Sequence, residues 1–176
     1  MRMSLLFLLL TPPAVAVGLL KYRSDYRRYG KTTVLGVILL LAAWFMPMCV
    51  VGYAYRWVFP PETTMQHVGW GIFVLALVFC VIPLHRFRRG MWIGRNVGKL
   101  VTDGVYRYSR NPQYVGAALM PLGYALTGWS IWAWVGVAAM WLTIHLTALV
   151  EEEHLERTFG DEYRRYKEST PRYLFV

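Results

Sequence analysis

Ile131-Trp132-Ala133-Trp134-Val135-Gly136-Val137-Ala138-Ala139-Met140-Trp141-Leu142-Thr143-Ile144-His145-Leu146-Thr147-Ala148-Leu149-Val150 contains no Lys, Arg, Asp or Glu, and Glu151-Glu152-Glu153-His154 follows at once. A helix that crosses the hydrocarbon core of a bilayer needs about 20 predominantly apolar residues. The run is therefore read as a membrane span with three acids at its exit. Immediately upstream, Gln113 to about Thr127 forms another apolar run. Only Gly128-Trp129-Ser130 separates the two, which predicts a tight helical hairpin turn. Three more apolar blocks cover about Ser4 to Leu20, Val34 to Tyr55 and Val68 to Leu84. The expected fold is all-α, an integral membrane helical bundle of about five transmembrane helices. The expected organisation is a single membrane domain over residues 1–176, with scaffold spans in 1–90 and the polar motifs in 91–176.

Composition agrees. The 176 residues are 56% hydrophobic and 16% charged, with mean hydropathy +0.34, whereas a soluble domain carries about 25% charged residues. The net charge of +9 does not imply nucleic acid, because the basic residues sit in short segments between apolar blocks. Lys21, Arg23, Arg27, Arg28 and Lys31 follow the first block, and Arg86, Arg88, Arg89, Arg95, Lys99, Arg107 and Arg110 fill the third connection. Arg157, Arg164, Arg165, Lys167 and Arg172 occupy the tail, while the second connection holds only Arg56 and Glu62. Basic connections stay in the cytoplasm. The alternation predicts an outside N-terminus and a cytosolic C-terminus; the membrane is expected to be a bacterial inner membrane. Cleavage of a signal peptide after Ala14-Val15-Ala16 would leave the basic residues from Lys21 to Lys31 outside, against that rule. Cys49 and Cys80 lie inside apolar blocks and read as small core residues. No His/Cys cluster has zinc spacing, and no metal is expected.

Two stretches carry chemistry. The first, Gly98 to Gly116, is polar and aromatic and leads into a membrane helix. Asn111-Pro112 is a helix start, with Asn to cap free N–H groups and Pro at the first helical position. Such an N-terminus also suits an anion. Tyr106, Tyr108 and Tyr114 surround it, either as interfacial anchors or as aromatic faces for a cation. The second stretch is the acid run. Successive helical residues are about 100° apart, so only one or two of Glu151, Glu152 and Glu153 can face a bundle. His145 is an ionisable group within a span, hence a candidate for function or for a buried structural hydrogen bond. The tail from Arg157 to Tyr166, with Phe159 and Tyr163, predicts an amphipathic cytosolic helix on the inner membrane surface.

Leu100-Val101-Thr102-Asp103-Gly104-Val105-Tyr106-Arg107-Tyr108-Ser109-Arg110-Asn111-Pro112-Gln113-Tyr114-Val115-Gly116 resembles the signature of the integral membrane methyltransferases, the isoprenylcysteine carboxyl methyltransferases and phospholipid N-methyltransferases. Glu151-Glu152, Leu155, Phe159-Gly160, Tyr163 and Tyr166, followed by Pro171-Arg172-Tyr173, resemble that family's second block. The resemblance covers about the last 80 residues. It implies S-adenosyl-L-methionine as methyl donor, held on the cytosolic side by Lys99, Leu100, Val101, Tyr106, Asn111, Pro112, Gln113, Tyr114 and Glu151. Asn111 stands where the family usually has His, so a general base at that position is not expected. Prenylcysteine enzymes of this family carry a substrate-binding Arg one turn before the first Glu, where this chain has Thr147. With His145 nearby, Thr147 is expected to face a lipid-like or small apolar acceptor rather than a carboxylate. No obligate protein partner is inferred. Sterol-reductase-type membrane enzymes share a similar Tyr-Arg-x-Ser-Arg-x-Pro-x-Tyr-x-Gly run, usually continuing with an acid where this chain has Ala117. Nicotinamide binding would distinguish that alternative.

Overall fold

The computed structural model describes residues 2–55, 64–86, 99–127 and 130–174, with side chains for all of these except 2–5, 7, 8, 50–55 and 81–86. Among the described residues the elements are helical throughout: α1 (Arg2–Tyr29), α2 (Val34–Tyr55), α3 (Thr64–Arg86), a 3-10 turn (Gly104–Arg107), α4 (Pro112–Leu126), α5 (Ile131–Phe159) and α6 (Asp161–Ser169). Each of the five apolar blocks falls on a helix. By length and composition, α5 is the one helix among the described residues long and apolar enough to cross a membrane, and its apolar part ends at Val150. Arg56, Glu62, Arg88, Arg89, Arg95, Gly98, Gly128 and Trp129 lie outside the described residues.

Two helix pairs, α1 with α2 and α3 with α4, are gathered around α5, which packs against α1, α2, α4 and α6. The α3–α4 pair meets at glycines. A Cβ on Gly123 would lie 2.6 Å from the Phe73 backbone nitrogen, and one on Gly116 would lie 2.8 Å from the Ala76 carbonyl oxygen. Only glycine lets these backbones approach so closely, the usual way for helices to gain contact where burial from water is not the driving force. Apolar side chains also face outward on several elements: Leu9, Val34 and Ile131 are each 72% exposed. An apolar exterior of this kind suits a lipid environment.

Two local expectations are corrected. The first helix does not stop near Leu20. It continues to Tyr29, so Lys21, Arg23, Arg27 and Arg28 lie on helix rather than in a connection. Its last turns are tied to the start of α2 by Asp25, which is 1% exposed. Asp25 pairs with Lys21 and accepts the Thr33 backbone N–H at 3.0 Å, while Thr33 Oγ1 caps α2 by accepting from Gly36 N–H at 3.1 Å. The second correction concerns the tail. α5 runs on to Phe159, where Gly160 adopts φ +53° and redirects the chain into α6. α6 buries Tyr163 and Tyr166 against Leu100, Leu155 and Phe159. Its aromatic face therefore packs on protein rather than on the membrane surface.

Candidate functional site

The three consecutive acids at the inner end of α5 meet three environments. Glu153 points outward, where Arg23 Nε donates at 2.7 Å to one carboxylate oxygen and Arg27 Nη2 at 2.7 Å to the other. Arg157 joins the cluster at 2.7 Å. Hydrogen bonds from Arg23 and Arg27 hold the Glu153 carboxyl down at about 2. These contacts dock the end of α1 onto α5.

Glu152 is buried, 4% exposed. Arg172 grips it through two parallel bonds, Nε to Oε1 and Nη2 to Oε2, both at 3.0 Å. Arg110 Nε lies 3.3 Å from Oε1, and Asn111 Nδ2 donates to the same oxygen at 3.1 Å. Two guanidiniums and an amide thus offset the desolvation of one carboxylate. Around this centre the C-terminal segment is laced to the start of α4. Arg110 N–H donates to the Pro171 carbonyl at 2.9 Å and Ser109 Oγ to the Arg172 carbonyl at 3.0 Å. Tyr166 Oη donates to the Tyr106 carbonyl at 2.7 Å. Burial raises the Tyr166 hydroxyl to about 12, so it remains a neutral donor.

Glu151 faces a ring of tyrosines. Tyr22 Oη donates to Glu151 Oε1 at 2.6 Å, and the Tyr114 hydroxyl lies near the same carboxylate. Tyr26 Oη lies 3.0 Å from Tyr22 Oη, and Tyr106 is close enough to feel the Glu151 charge. Burial, followed by the Glu151 charge, raises both Tyr22 and Tyr26 above their usual values and keeps them protonated. Among the described residues no Lys, Arg or His pairs with Glu151. Glu151 is half-buried, and burial raises its carboxyl above the usual value; with hydroxyls around it and no cation among the described residues, it suits an ammonium or sulfonium group of a ligand.

The structure gathers Tyr106, Gln113, Tyr114 and Glu151 on one side. Tyr106 Oη donates to Gln113 Oε1 at 3.3 Å, and Trp44 packs against Tyr114 with ring centroids 5.6 Å apart. Asn111 occupies the helix-start position with Pro112 at the first turn, but its side chain makes no cap. Contrary to the capping expectation, its amide turns to Glu152 instead. Leu100 belongs to the Tyr163–Tyr166 cluster, Val101 is half-buried and Lys99 is exposed. Thr147 is fully buried; its hydroxyl donates to the Thr143 carbonyl at 2.8 Å and accepts Trp44 Nε1 at 3.3 Å. His145 Nδ1 lies 3.1 Å from Tyr173 Oη. Tyr22, Tyr26 and Trp44 come from helices that the sequence marks only as scaffold. The one signal for the tyrosines is their i, i+4 spacing beside Arg23 and Arg27, which places both pairs along one side of α1.

A helical protein with a tyrosine-lined carboxylate where the apolar run of α5 ends defines the class. Residues 64–162, more than half of the chain, match the model of the phospholipid methyltransferase family, and the chain belongs to that family. It is 36% identical over 73 residues to a protein-S-isoprenylcysteine O-methyltransferase of Schizosaccharomyces pombe, covering 41% of this chain and 31% of that protein. It is 27% identical over 109 residues to phosphatidylethanolamine N-methyltransferase B of Dictyostelium discoideum, covering 58% of this chain and 54% of that protein. An uncharacterised protein of Haemophilus influenzae is 44% identical over 55 residues, covering 28% of this chain and 87% of that protein. The chain thus spans about a third and about half of the length of the two named methyltransferases it matches. No solved structure matches it significantly.

Proposed function

We propose that this chain is an integral membrane methyltransferase that uses S-adenosyl-L-methionine and passes the methyl group to a lipid-like or small apolar acceptor at the cytosolic face. The observation that carries the reading is the Glu151 carboxylate, ringed by Tyr22, Tyr106 and Tyr114 with no basic partner among the described residues. These residues fit a donor that bears both an amine and a sulfonium. When bound, it supplies an electrophilic methyl group on a positively charged sulfur. Glu151 binds the amine, the tyrosine faces accept positive charge, and exclusion of water with alignment of the acceptor supplies the rate. Lys99, Leu100, Val101, Asn111, Pro112 and Gln113 complete the proposed pocket, with Asn111 held by Glu152 as a fixed wall.

The acceptor reading is supported by what lies one turn before Glu151. Thr147 is buried and already bonded on both sides, and no Lys or Arg occurs from Ile131 to Val150. A carboxylate acceptor calls for a guanidinium clamp, and Thr147 and His145 offer none. The relatives named for isoprenylcysteine and for phosphatidylethanolamine bracket the choice, and the second chemistry fits this chain better. The test is a labelled-methyl assay of the purified protein with a lipid extract of the host beside farnesylated cysteine analogues, after titration with S-adenosylhomocysteine. We expect saturable binding and labelled lipid. Label on the farnesylated analogue alone would reverse the acceptor assignment. Saturable binding of a nicotinamide dinucleotide, with none of S-adenosylhomocysteine, would favour the reductase alternative.

The proposal includes a single multi-pass domain of about five spans, with the N-terminus outside and residues 85–112 and the C-terminus in the cytosol, in a bacterial inner membrane. It rests on the alternation of basic segments. Reporter fusions at Glu62 and at the C-terminus are expected to read outside and inside, respectively. A C-terminal reporter active only in the periplasm would overturn it.

A further inference from the structure

The contact between α1 and Glu151 has an unusual chemical form. Tyr22 is 5% exposed, and its hydroxyl donates to Glu151 Oε1 at 2.6 Å, across 129 residues of sequence. That length is typical of a charge-assisted bond. Because the Tyr22 proton points to the carboxylate, the Tyr22 oxygen is left to accept from Tyr26 at 3.0 Å. The two tyrosines form a chain in which each bond polarises the next. Tyr26 is itself held by α5: its ring stacks on His154 with centroids 4.1 Å apart and 20° between planes. One residue along α1 from each tyrosine, Arg23 and Arg27 clamp Glu153. Glu151, Glu153 and His154 of α5 therefore all engage the same turns of α1. None of these α1 residues falls within the stretch that matches the family, residues 64–162.

Simple helix docking does not need a carboxylate at this point. Apolar residues of similar volume often hold two helices as well as a half-buried charge does. A carboxylate that receives a short hydroxyl bond is oriented by it, and a carboxylate has about four acceptor positions. Capacity therefore remains for a further, charged donor.

We propose that Tyr22 is a positioning residue for ligand binding: its hydroxyl aims the Glu151 carboxylate at the ligand's ammonium group, and Tyr26 secures Tyr22 in that role. The inference rests on the reading of Glu151 as the cofactor-amine site, and it makes α1 a wall of the pocket rather than a scaffold. The groups facing Glu151 are Tyr22 and Tyr26 from α1, Tyr106 from the 3-10 turn, Tyr114 from α4 and its neighbour Glu152 on α5. The Tyr22 hydroxyl, which bonds the carboxylate directly, reaches it from outside the family-matched stretch.

The experiment is calorimetric titration of S-adenosylhomocysteine into detergent-solubilised parent protein, Tyr22→Phe, Tyr26→Phe, Glu151→Gln and the Tyr22→Phe/Glu151→Gln double variant. Phe keeps the ring and removes only the hydroxyl. Tyr22→Phe is expected to weaken binding about tenfold and Tyr26→Phe about threefold. In the double variant the Tyr22→Phe loss should vanish, because the neutral amide that replaces the Glu151 carboxylate no longer carries the charge that Tyr22 aims. Without its donor the carboxylate takes up a proton more readily, so binding by Tyr22→Phe should also fail at a higher pH on the acid side than binding by the parent. A purely structural Tyr22 would change the melting temperature without the coupled loss or the pH displacement. If Glu151→Gln weakens binding and Tyr22→Phe leaves affinity and pH profile unchanged, the inference fails while the site stands. If Glu151→Gln binds as the parent does, the reading of the site itself fails. Should Tyr22→Phe lose its fold, the Tyr26→Phe series, with its own double variant carrying Glu151→Gln, decides by the same coupling.

Discussion

Replacing Glu152 with Ala is expected to destabilise the protein by about 3–5 kcal/mol, the typical result of stripping one partner from a buried ionic cluster. The reason lies in what remains. Arg172 loses both of its 3.0 Å bonds, and the largely buried Arg110 loses its 3.3 Å ion pair. The Asn111 amide loses its 3.1 Å acceptor as well. Two positive charges would then face each other with no carboxylate between them. The structural damage should spread along the contacts that depend on this centre: the C-terminal segment bound to Ser109 and Arg110, and the start of α4. Unfolding in a mixed-detergent titration, followed by far-ultraviolet circular dichroism, measures the effect. Glu152→Gln keeps the shape and one acceptor and should fall between parent and Ala. A loss under about 1 kcal/mol for Ala, the range of exposed pairs, would mean that water already reaches the cluster.

Replacing Glu151 with Gln, one residue away, is expected to do the opposite. Stability should change little, because no ion pair among the described residues depends on Glu151 and Gln still accepts the Tyr22 bond. Affinity for S-adenosylhomocysteine should fall by about 30- to 150-fold, the equivalent of roughly 2–3 kcal/mol for a lost charged hydrogen bond. Calorimetric titration reads this directly. Unchanged affinity would show Glu151 to be a charge outside the binding pocket. The pair of variants separates two adjacent carboxylates by their consequences: one holds the tail to the bundle, the other is proposed to bind the ligand.

Arg23 and Arg27 illustrate how the surface acid differs from both. Glu153 binds them in an exposed cluster, where each pair contributes little on its own. Its function is local, setting the end of α1 against α5 so that Tyr22 and Tyr26 arrive at Glu151.

Much of this arrangement follows from the sequence alone. A run of 20 residues without charge from Ile131 to Val150 can satisfy its backbone in lipid only as a helix, and the other apolar blocks each fall on a helix as well. Asn111-Pro112 set the start of α4 because proline at the first turn sacrifices no hydrogen bond. The two motif blocks identified the family and pointed to the ends of α4 and α5. Helical geometry alone required Glu151, Glu152 and Glu153 to face different directions.

Which direction belonged to which acid was decided only by tertiary structure. The neighbours that distinguish them, Tyr22 for Glu151, Arg172 for Glu152 and Arg23 for Glu153, lie 129, 20 and 130 residues away. Periodicity reports the face of a helix but not what stands opposite it. Asn111 leaves the helix start uncapped and donates from Nδ2 to Glu152, a buried carboxylate that favours a charge-assisted bond. α6 turned its tyrosines onto Leu100 and Phe159 because Gly160 redirected the chain against its own bundle. An amphipathic pattern reads the same whether its partner is lipid or protein, and only the packed chain distinguishes the two.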